Sequence, residues 1–188
     1  HNFGELLRAQ IALLKKEPFT VYPDFPQGGL MDVSEYNDGN GRVVLRAKIE
    51  IVKRKLVIRE IPAATTTERL IASIEKAARN NKIKIAGIHD YTGENVEIEV
   101  LPARGYEPEK ALHALYAYTD CSLAITTNLL AISGNRPVVS SVSAVLRRDT
   151  DRLLELLRRE LELQLGKLNE AFHAKTLAQL FIEHRIYQ

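Results

Sequence analysis

The chain has 188 residues, 45% of them hydrophobic and 27% charged, which is enough for one sizeable core and excludes an intrinsically disordered chain. A single cysteine, Cys121, excludes an internal disulfide, a cysteine metal cluster and dithiol redox chemistry. The net charge is only +2, no apolar run is long enough to cross a membrane, and the N-terminus lacks a signal-peptide pattern, so we expect a cytoplasmic protein without membrane contact.

The first forty residues predict a helix, a loop and a tight turn. Apolar side chains between Phe3 and Leu14 recur at helical spacing, and Pro18 ends this pattern. Two prolines and two glycines in residues 22–29 predict a structured loop rather than a strand. Residues 37–41, Asn-Asp-Gly-Asn-Gly, are a dense turn signal that precedes the next element.

The strongest electrostatic feature of the sequence follows this turn. Residues 42–51 alternate between apolar and polar side chains, which predicts one half-buried strand with a cationic outer face. A polar break at residues 53–55 and a second apolar segment at 56–61 predict an antiparallel hairpin. Residues 42–59 carry seven basic side chains and one acidic one, a local net charge of +6, whereas residues 1–41 carry three basic and six acidic ones.

Helices and strands alternate over the rest of the first 140 residues. Thr65 and Glu68 have the spacing of a capping box and predict the start of a helix that ends near residue 80. Pro108 predicts the first turn of another helix, over residues 107–118. Period-two apolar patterns predict strands around residues 83–88, 96–100, 122–127 and 129–132, before a turn at 134–135. We therefore expect an α+β domain, a mixed or antiparallel sheet with packed helices, over residues 1–140.

Residues 141–188 form a second unit in this prediction. From residue 143 to 172 the leucines step by three and four among Arg and Glu, which predicts a long amphipathic helix of roughly 45 Å. Two interpretations are open on the residues alone: a helix packed on the α+β domain, and a helix that protrudes as part of a coiled coil. Gly166 is a weak point inside this helix, and residues 177–187 are interpreted as a separate helix.

Recognisable catalytic motifs are missing from the sequence. It contains no Walker loop, dinucleotide-binding fingerprint, metalloprotease helix or nucleophile elbow. The five histidines are scattered without metal-ligand spacing, so surface or capping roles are the default. His89 and Asp90 are expected in a loop, and Cys121 is expected to be a small buried hydrophobe. A small-molecule enzyme is the least favoured function, and a deep pocket lined by these three residues would revive it.

A binding role follows from the chemistry of three basic residues: Arg42, Arg46 and Lys48. On one strand their side chains share a face, with the outer two about 20 Å apart, so they can meet successive phosphates of a nucleic acid. The alternative is a solvated face on which the charges only maintain solubility, and Glu50 on the same face supports it. Composition alone does not separate these interpretations.

Several short motifs, taken in order, resemble those of one enzyme family. A Pro-Asp-Phe-Pro-x-Gly loop at residues 23–28 precedes Gly-x-Gly-Arg at 39–42, a basic strand, and Glu60-Ile61-Pro62. Leu70-Ile71, Leu115-Tyr116-x-x-Thr119 and Asn128 follow at the family's spacing. Together they resemble the A subunits of bacterial type IIA DNA topoisomerases, the gyrase A and topoisomerase IV A family, over nearly the whole chain, with a leaning toward the topoisomerase IV type.

The resemblance implies a fragment of such a protein: the tower domain, then the start of the coiled coil that leads to the dimer gate. In the family the tower supports the gate DNA segment, which implies that Arg42, Arg46 and Lys48 contact the phosphates of duplex DNA in the nucleoid. The family's nucleophilic tyrosine follows an arginine, and none of the seven tyrosines here does. The fragment alone is therefore expected to be inactive, without a catalytic residue, metal or cofactor of its own. The implied partners are a B subunit, which holds ATP and Mg²⁺, and a second copy of the A subunit.

Three residues depart from the family pattern, and one competing hypothesis stays open. Ala63 and Ala64 replace a bulkier pair that contains tyrosine, and Asn40 stands in place of an arginine, so one cation is missing. The competing hypothesis is a protein-interaction module, in which the α+β body and long helix dock onto a protein and the basic strand is incidental.

Overall fold

The computed structural model describes residues 2–185, which contain four α-helices and nine strands besides a single 3-10 turn at Asn37–Gly39. In chain order these are α1 Phe3–Lys15, β1 Leu30–Asp32, β2 Arg42–Arg46, β3 Lys48–Val52, β4 Lys55–Glu60, α2 Thr67–Arg79, β5 Ile85–Asp90, β6 Ile98–Pro102, α3 Pro108–Tyr118, β7 Ser122–Thr126, β8 Leu130–Ser133, β9 Arg136–Val139 and α4 Val142–Glu183. All strand pairs are antiparallel, and the expected α+β class with a long final helix is confirmed.

The strands divide into a three-stranded sheet of order β1-β2-β7, a four-stranded sheet of order β3-β4-β6-β5, and the β8-β9 hairpin. The predicted single strand over residues 42–51 is therefore wrong, because it breaks at Ala47 into β2 and β3. The Ala47 amide donates to the Cys121 carbonyl at 2.8 Å, and its carbonyl accepts from the Tyr116 hydroxyl at 2.8 Å. These two bonds hold Ala47 at the junction where the chain passes from one sheet to the other.

The larger core lies between the four-stranded sheet and helices α2 and α3. Leu70 and Ile74 of α2 and Leu115 of α3 are fully buried against strand residues of β4 and β6. The predicted helix exists, but its N-cap is Thr66, whose hydroxyl accepts from the Arg69 amide, and not Thr65. Pro108 occupies the first turn of α3 as expected.

The smaller core lies under the three-stranded sheet. Val43 of β2, Ala9 of α1 and the first turns of α4 pack together there. The loop over residues 22–29 is confirmed, whereas the short strand β1 directly after it is not predicted by the sequence pattern. His89 and Asp90 lie at the end of strand β5, so their expected loop position is wrong.

Helix α4 contains 42 residues and is about 63 Å long at 1.5 Å per residue. Only Val142, Leu146 and Thr150 are buried, and from Asp151 to Glu183 every side chain except the half-buried Thr176 is exposed. The helix therefore protrudes from the domain. It is continuous through Gly166 to Glu183, so the separate helix predicted at 177–187 is wrong as far as the described residues reach; residues 186 and 187 lie outside them.

The division into units 1–140 and 141–188 stays a prediction, since the start of α4 packs against α1. Within residues 2–185, no helix combines the length and the apolar composition that crossing a membrane requires.

Candidate nucleic-acid interface

Arg42 and Arg46 lie at the two ends of β2 and point to the exposed face of the three-stranded sheet. Their neighbours in the sheet are Thr126 and Ser122 of β7, and the two positions are about 13 Å apart at 3.3 Å per residue. Within residues 2–185 neither guanidinium forms an ion pair or a hydrogen bond. Two guanidinium groups without an ion pair among the described residues therefore stand on this face, where Leu30 of β1 lies opposite Arg46 and where, after hydrogen bonds from Ser34, the charge of Arg46 helps to lower the pKa of Asp32.

The buried side of β2 fixes the position of these arginines. Val43 is fully buried and Leu45 is 3% exposed, so the alternate residues of the strand are anchored in the core. Because side chains in a strand alternate between faces, this burial commits Arg42 and Arg46 to the solvent side.

Lys48 does not continue this row of cations. It begins β3 in the other sheet, and its ammonium is 3.0 Å from a carboxylate oxygen of Glu60. A hydrogen bond to this carboxylate and the carboxylate's charge raise the pKa of Lys48. The expected three-cation ladder on one strand is wrong, because the break at Ala47 separates its members; contact of each side chain with DNA stays a prediction.

Carboxylates neutralise much of the basic segment 42–59. Lys55 pairs with Glu99 at 2.8 Å, and Arg59 pairs with Glu97 at 3.0 Å and with Glu50 at 3.3 Å. With Lys48, three of the seven basic side chains are thus paired. The remaining four form no ion pair within the described part of the chain: Arg42, Arg46, Lys53 and Arg54.

Glu60 fixes the loop at residues 23–28 beside β2. Its Oε2 accepts from the Gly29 amide at 2.6 Å, while Oε1 accepts from Lys48. The Gly29 amide, first, and Lys48, second, lower the pKa of Glu60. Gly29 has φ of 91°, and a Cβ there would lie 2.9 Å from the Arg46 carbonyl, so only glycine fits. Sequence reasoning identifies these motifs but misses the contact, because the partners are 31 residues apart.

The turn at residues 37–41 connects β2 to the start of α4. The Asp38 carboxylate accepts from the Ser143 amide at 3.2 Å and from the Ser143 hydroxyl at 3.0 Å. Asn40 donates from Nδ2 to the Ser140 carbonyl at 3.3 Å. Asn40, expected only as a missing cation, therefore contributes to the attachment of the long helix.

The residues considered for catalysis do not form a site. Cys121 is fully buried, and burial raises the pKa of its thiol to about 11, so the nucleophilic thiolate is disfavoured. His89 and Asp90 are exposed on β5, whereas Cys121 is fully buried in the larger core. Among residues 2–185, no three His, Cys, Asp or Glu side chains gather as metal ligands.

Comparison with known proteins identifies the family. A family model for the A subunit of DNA gyrase/topoisomerase IV matches residues 1–186. The chain belongs to this family. The A subunit of DNA topoisomerase 4 from Borreliella burgdorferi is 48% identical over 183 residues, which cover 97% of this chain and 29% of that protein. The A subunit of DNA gyrase from Lawsonia intracellularis is 30% identical over 195 residues, covering 92% and 24%. The chain spans less than a third of the length of either relative.

The expected membership of the gyrase/topoisomerase IV A family is thereby confirmed, and the motifs that suggested it meet around β2. The loop at 23–28 is held, through Gly29, by Glu60 of the Glu60-Ile61-Pro62 motif. Tyr116 and Thr119 of another motif lie at the junction of the two sheets, where Thr119 accepts from the Cys121 amide. In this family member, motifs scattered over a hundred residues therefore support one strand and the arginines that it presents.

Proposed function

We propose that this chain is the part of a type II DNA topoisomerase A subunit that supports a duplex DNA segment through its phosphates. The observation that carries this proposal is the pair of unpaired guanidiniums of Arg42 and Arg46 on the open face of β2. Guanidinium groups bind phosphate oxygens through two parallel hydrogen bonds, and such contacts position a protein on DNA without reading its sequence. Lys48 is the third proposed contact, and its pairing with Glu60 predicts a smaller contribution.

The chemistry of strand breakage is proposed to lie elsewhere in the enzyme. None of the seven tyrosines follows an arginine, as the family's nucleophile does. The hydroxyl of Tyr116 is already engaged with the Ala47 carbonyl, and burial raises its pKa. ATP and Mg²⁺ are assigned in this proposal to a B-subunit partner; among residues 2–185 no three His, Cys, Asp or Glu side chains gather as metal ligands.

The long helix α4 is proposed to transmit motion to a gate formed with a second A subunit. Its attachment supports this role: Asp38 joins the turn before β2 to Ser143 in the first turn of the helix. A shift of β2 on DNA would therefore reach α4 through direct hydrogen bonds. The enzyme is proposed to act in the cytoplasm, on the nucleoid.

Titration of labelled duplexes at several salt concentrations tests the DNA proposal. Two duplexes of unrelated sequence are compared for the unsubstituted chain and for Arg42→Ala/Arg46→Ala. Loss of two phosphate contacts should make the log–log salt slope shallower by about 1.8, equally for both sequences. Lys48→Ala should change the slope by less than either arginine substitution does.

Lys15→Ala/Lys175→Ala is the matched control, because it removes two exposed cations from α1 and α4, away from β2. The control should retain the original slope. Equal slopes for the Arg42/Arg46 variant and the control would overturn the phosphate contacts. Absence of salt-dependent binding by the unsubstituted chain would favour the second candidate, a protein-interaction module, which the exposed leucines of α4 support.

A further inference from the structure

A second basic segment lies outside the surface formed by β2. Residues 69–84 carry five basic side chains and one acidic one, a local net charge of +4. Arg79 is neutralised by Glu75 one helical turn away, at 3.0 Å. Arg69, Lys76 and Lys82 instead line one open groove of about 620 Å³, which runs along α2 and past the end of α3.

The cations of this groove are spaced along its length. Arg69 and Lys76 are seven residues apart on α2, so they lie on the same side of the helix, about 10 Å apart along its axis. Lys82 follows the helix, and its ammonium lies 5.7 Å from the centre of the Tyr118 ring. A cation over an aromatic face is held in place by the ring's quadrupole, so Tyr118 positions Lys82 at the groove.

Only one carboxylate opposes these charges among the residues that line the groove. Asp120 lies 3.7 Å from Arg69, at the long end of ion-pair distances, and both side chains are solvent-accessible. Lys76 and Lys82 have no carboxylate partner within the described residues. The groove therefore keeps a net positive charge.

Helix stability accounts for only part of this arrangement. Lys76 lies in the last turn of α2, where the helix dipole favours a cation. Arg69 lies in the first turn, where the same dipole disfavours one, and Lys82 lies beyond the helix. Two of the three cations are therefore placed without benefit from the α2 dipole, and the net positive charge of the groove suits a ligand with several negative charges.

We propose that the groove formed by Arg69, Lys76, Lys82 and Tyr118 is a second site for the phosphate backbone of DNA. This inference rests on the proposed function, since it assigns a further DNA contact to the same chain. A nucleic-acid backbone is favoured over an acidic peptide because the groove is lined mostly by charged, polar and small side chains, which offer few apolar anchors for a peptide. Its large aromatic side chain, Tyr118, is 54% exposed and lies beside the Lys82 ammonium.

The test measures salt slopes for duplex binding with Lys76→Ala/Lys82→Ala. Two lost phosphate contacts should make the slope shallower by about 1.8, independently of DNA sequence. Lys76→Arg/Lys82→Arg keeps both charges and should keep the slope. Tyr118→Phe should behave like the unsubstituted chain because it retains the ring, whereas Tyr118→Leu should weaken binding. Circular dichroism of each variant checks that α2 and α3 are intact.

The proposals for the two DNA surfaces can be contradicted independently of each other. If the slope is unchanged for Lys76→Ala/Lys82→Ala but shallower for Arg42→Ala/Arg46→Ala, the groove does not bind DNA. The proposed DNA contacts at β2 are then still supported. The reverse pattern supports the groove and overturns the β2 contacts. Poly-glutamate that binds as tightly as duplex DNA, and is lost with the same lysine substitutions, would overturn the nucleic-acid assignment in favour of an acidic peptide.

Discussion

Glu60 combines a charge and a backbone contact in one side chain, which makes the fold sensitive to its ionisation. Because the Gly29 amide and Lys48 lower its pKa, the carboxylate stabilises the fold above the unfolded-state pKa of about 4.3. This stabilisation is lost as the pH falls through the lower, folded-state pKa. Glu60→Gln should therefore lower the free energy of unfolding at pH 7 by roughly 1 kcal/mol, and the difference should vanish in acid.

Urea unfolding of both proteins between pH 7 and pH 3 measures this difference. Glu94→Gln is the control, because Glu94 is exposed between β5 and β6 and forms no ion pair within the described residues. A difference between the Glu60 variant and the parent that stays constant down to the lowest pH would show that Glu60 acts through packing rather than charge.

Sequence reasoning correctly predicts the burial of a residue when the residue type and its neighbours along the chain determine it. Cys121, expected to be a buried hydrophobe, is fully buried. The alternation of apolar and polar residues, which is the information that sequence neighbours provide, predicts that Lys48 lies on the same strand face as Arg46. The partner of Lys48, Glu60, is twelve residues away, and only the folded hairpin brings the two together. Charge pairing across strands cannot be inferred from a run of basic residues.

Gly166 is the weakest position of helix α4. Side chains around it are exposed, so tertiary packing does not compensate for the conformational freedom of glycine. A Cβ at this position meets no atom within 4 Å. Gly166→Ala should therefore stabilise the outer part of α4 by about 1 kcal/mol.

Hydrogen exchange of the amides around residue 166 and far-UV circular dichroism detect this change. Slower exchange should be confined to the outer half of the helix, since the first turns are already held by the domain. Ala171→Gly is the reverse variant and should accelerate exchange. Equal exchange rates in the parent and Gly166→Ala would show that the outer helix is stabilised by contacts with another molecule.

At the level of elements, long periodic patterns are predictable and junctions are not. The helices α1, α2 and α3 follow from apolar spacing and prolines. The break at Ala47 cannot be predicted, because the alternation of apolar and polar residues continues through it. What divides the strand is non-local: the Tyr116 hydroxyl and the Cys121 carbonyl bind the Ala47 backbone from about 70 residues away.

The whole molecule combines a domain that carries the two proposed DNA surfaces with a long protruding helix. Exposed apolar side chains occur on both parts, and on α4 they form a continuous stripe. Asp38 and Asn40 join these parts through Ser143 and Ser140, across about 100 residues of sequence. Length and leucine spacing predict a long helix, but only the burial pattern, which ends at Thr150, separates a protruding helix from a packed one.

Helix α4 extends about 50 Å beyond Thr150 with a stripe of leucines open to water, and such a surface favours association. The stripe consists of Leu154, Leu157, Leu161, Leu165, Leu168 and Phe172. We expect the chain to self-associate reversibly, with a mass in sedimentation equilibrium that rises with concentration. Leu161→Gln/Leu168→Gln should shift it toward the monomer.

Leu156 and Leu163 provide the control for this prediction, because helical spacing places them on the side of α4 opposite Leu161 and Leu168. Leu156→Gln/Leu163→Gln removes the same number of exposed leucines and has the same effect on helix propensity. If both pairs reduce association equally, the helices associate through general hydrophobicity and not through the stripe. A monomer at every concentration would mean that α4 stays single in solution, and that its apolar face needs a part of the larger enzyme to cover it.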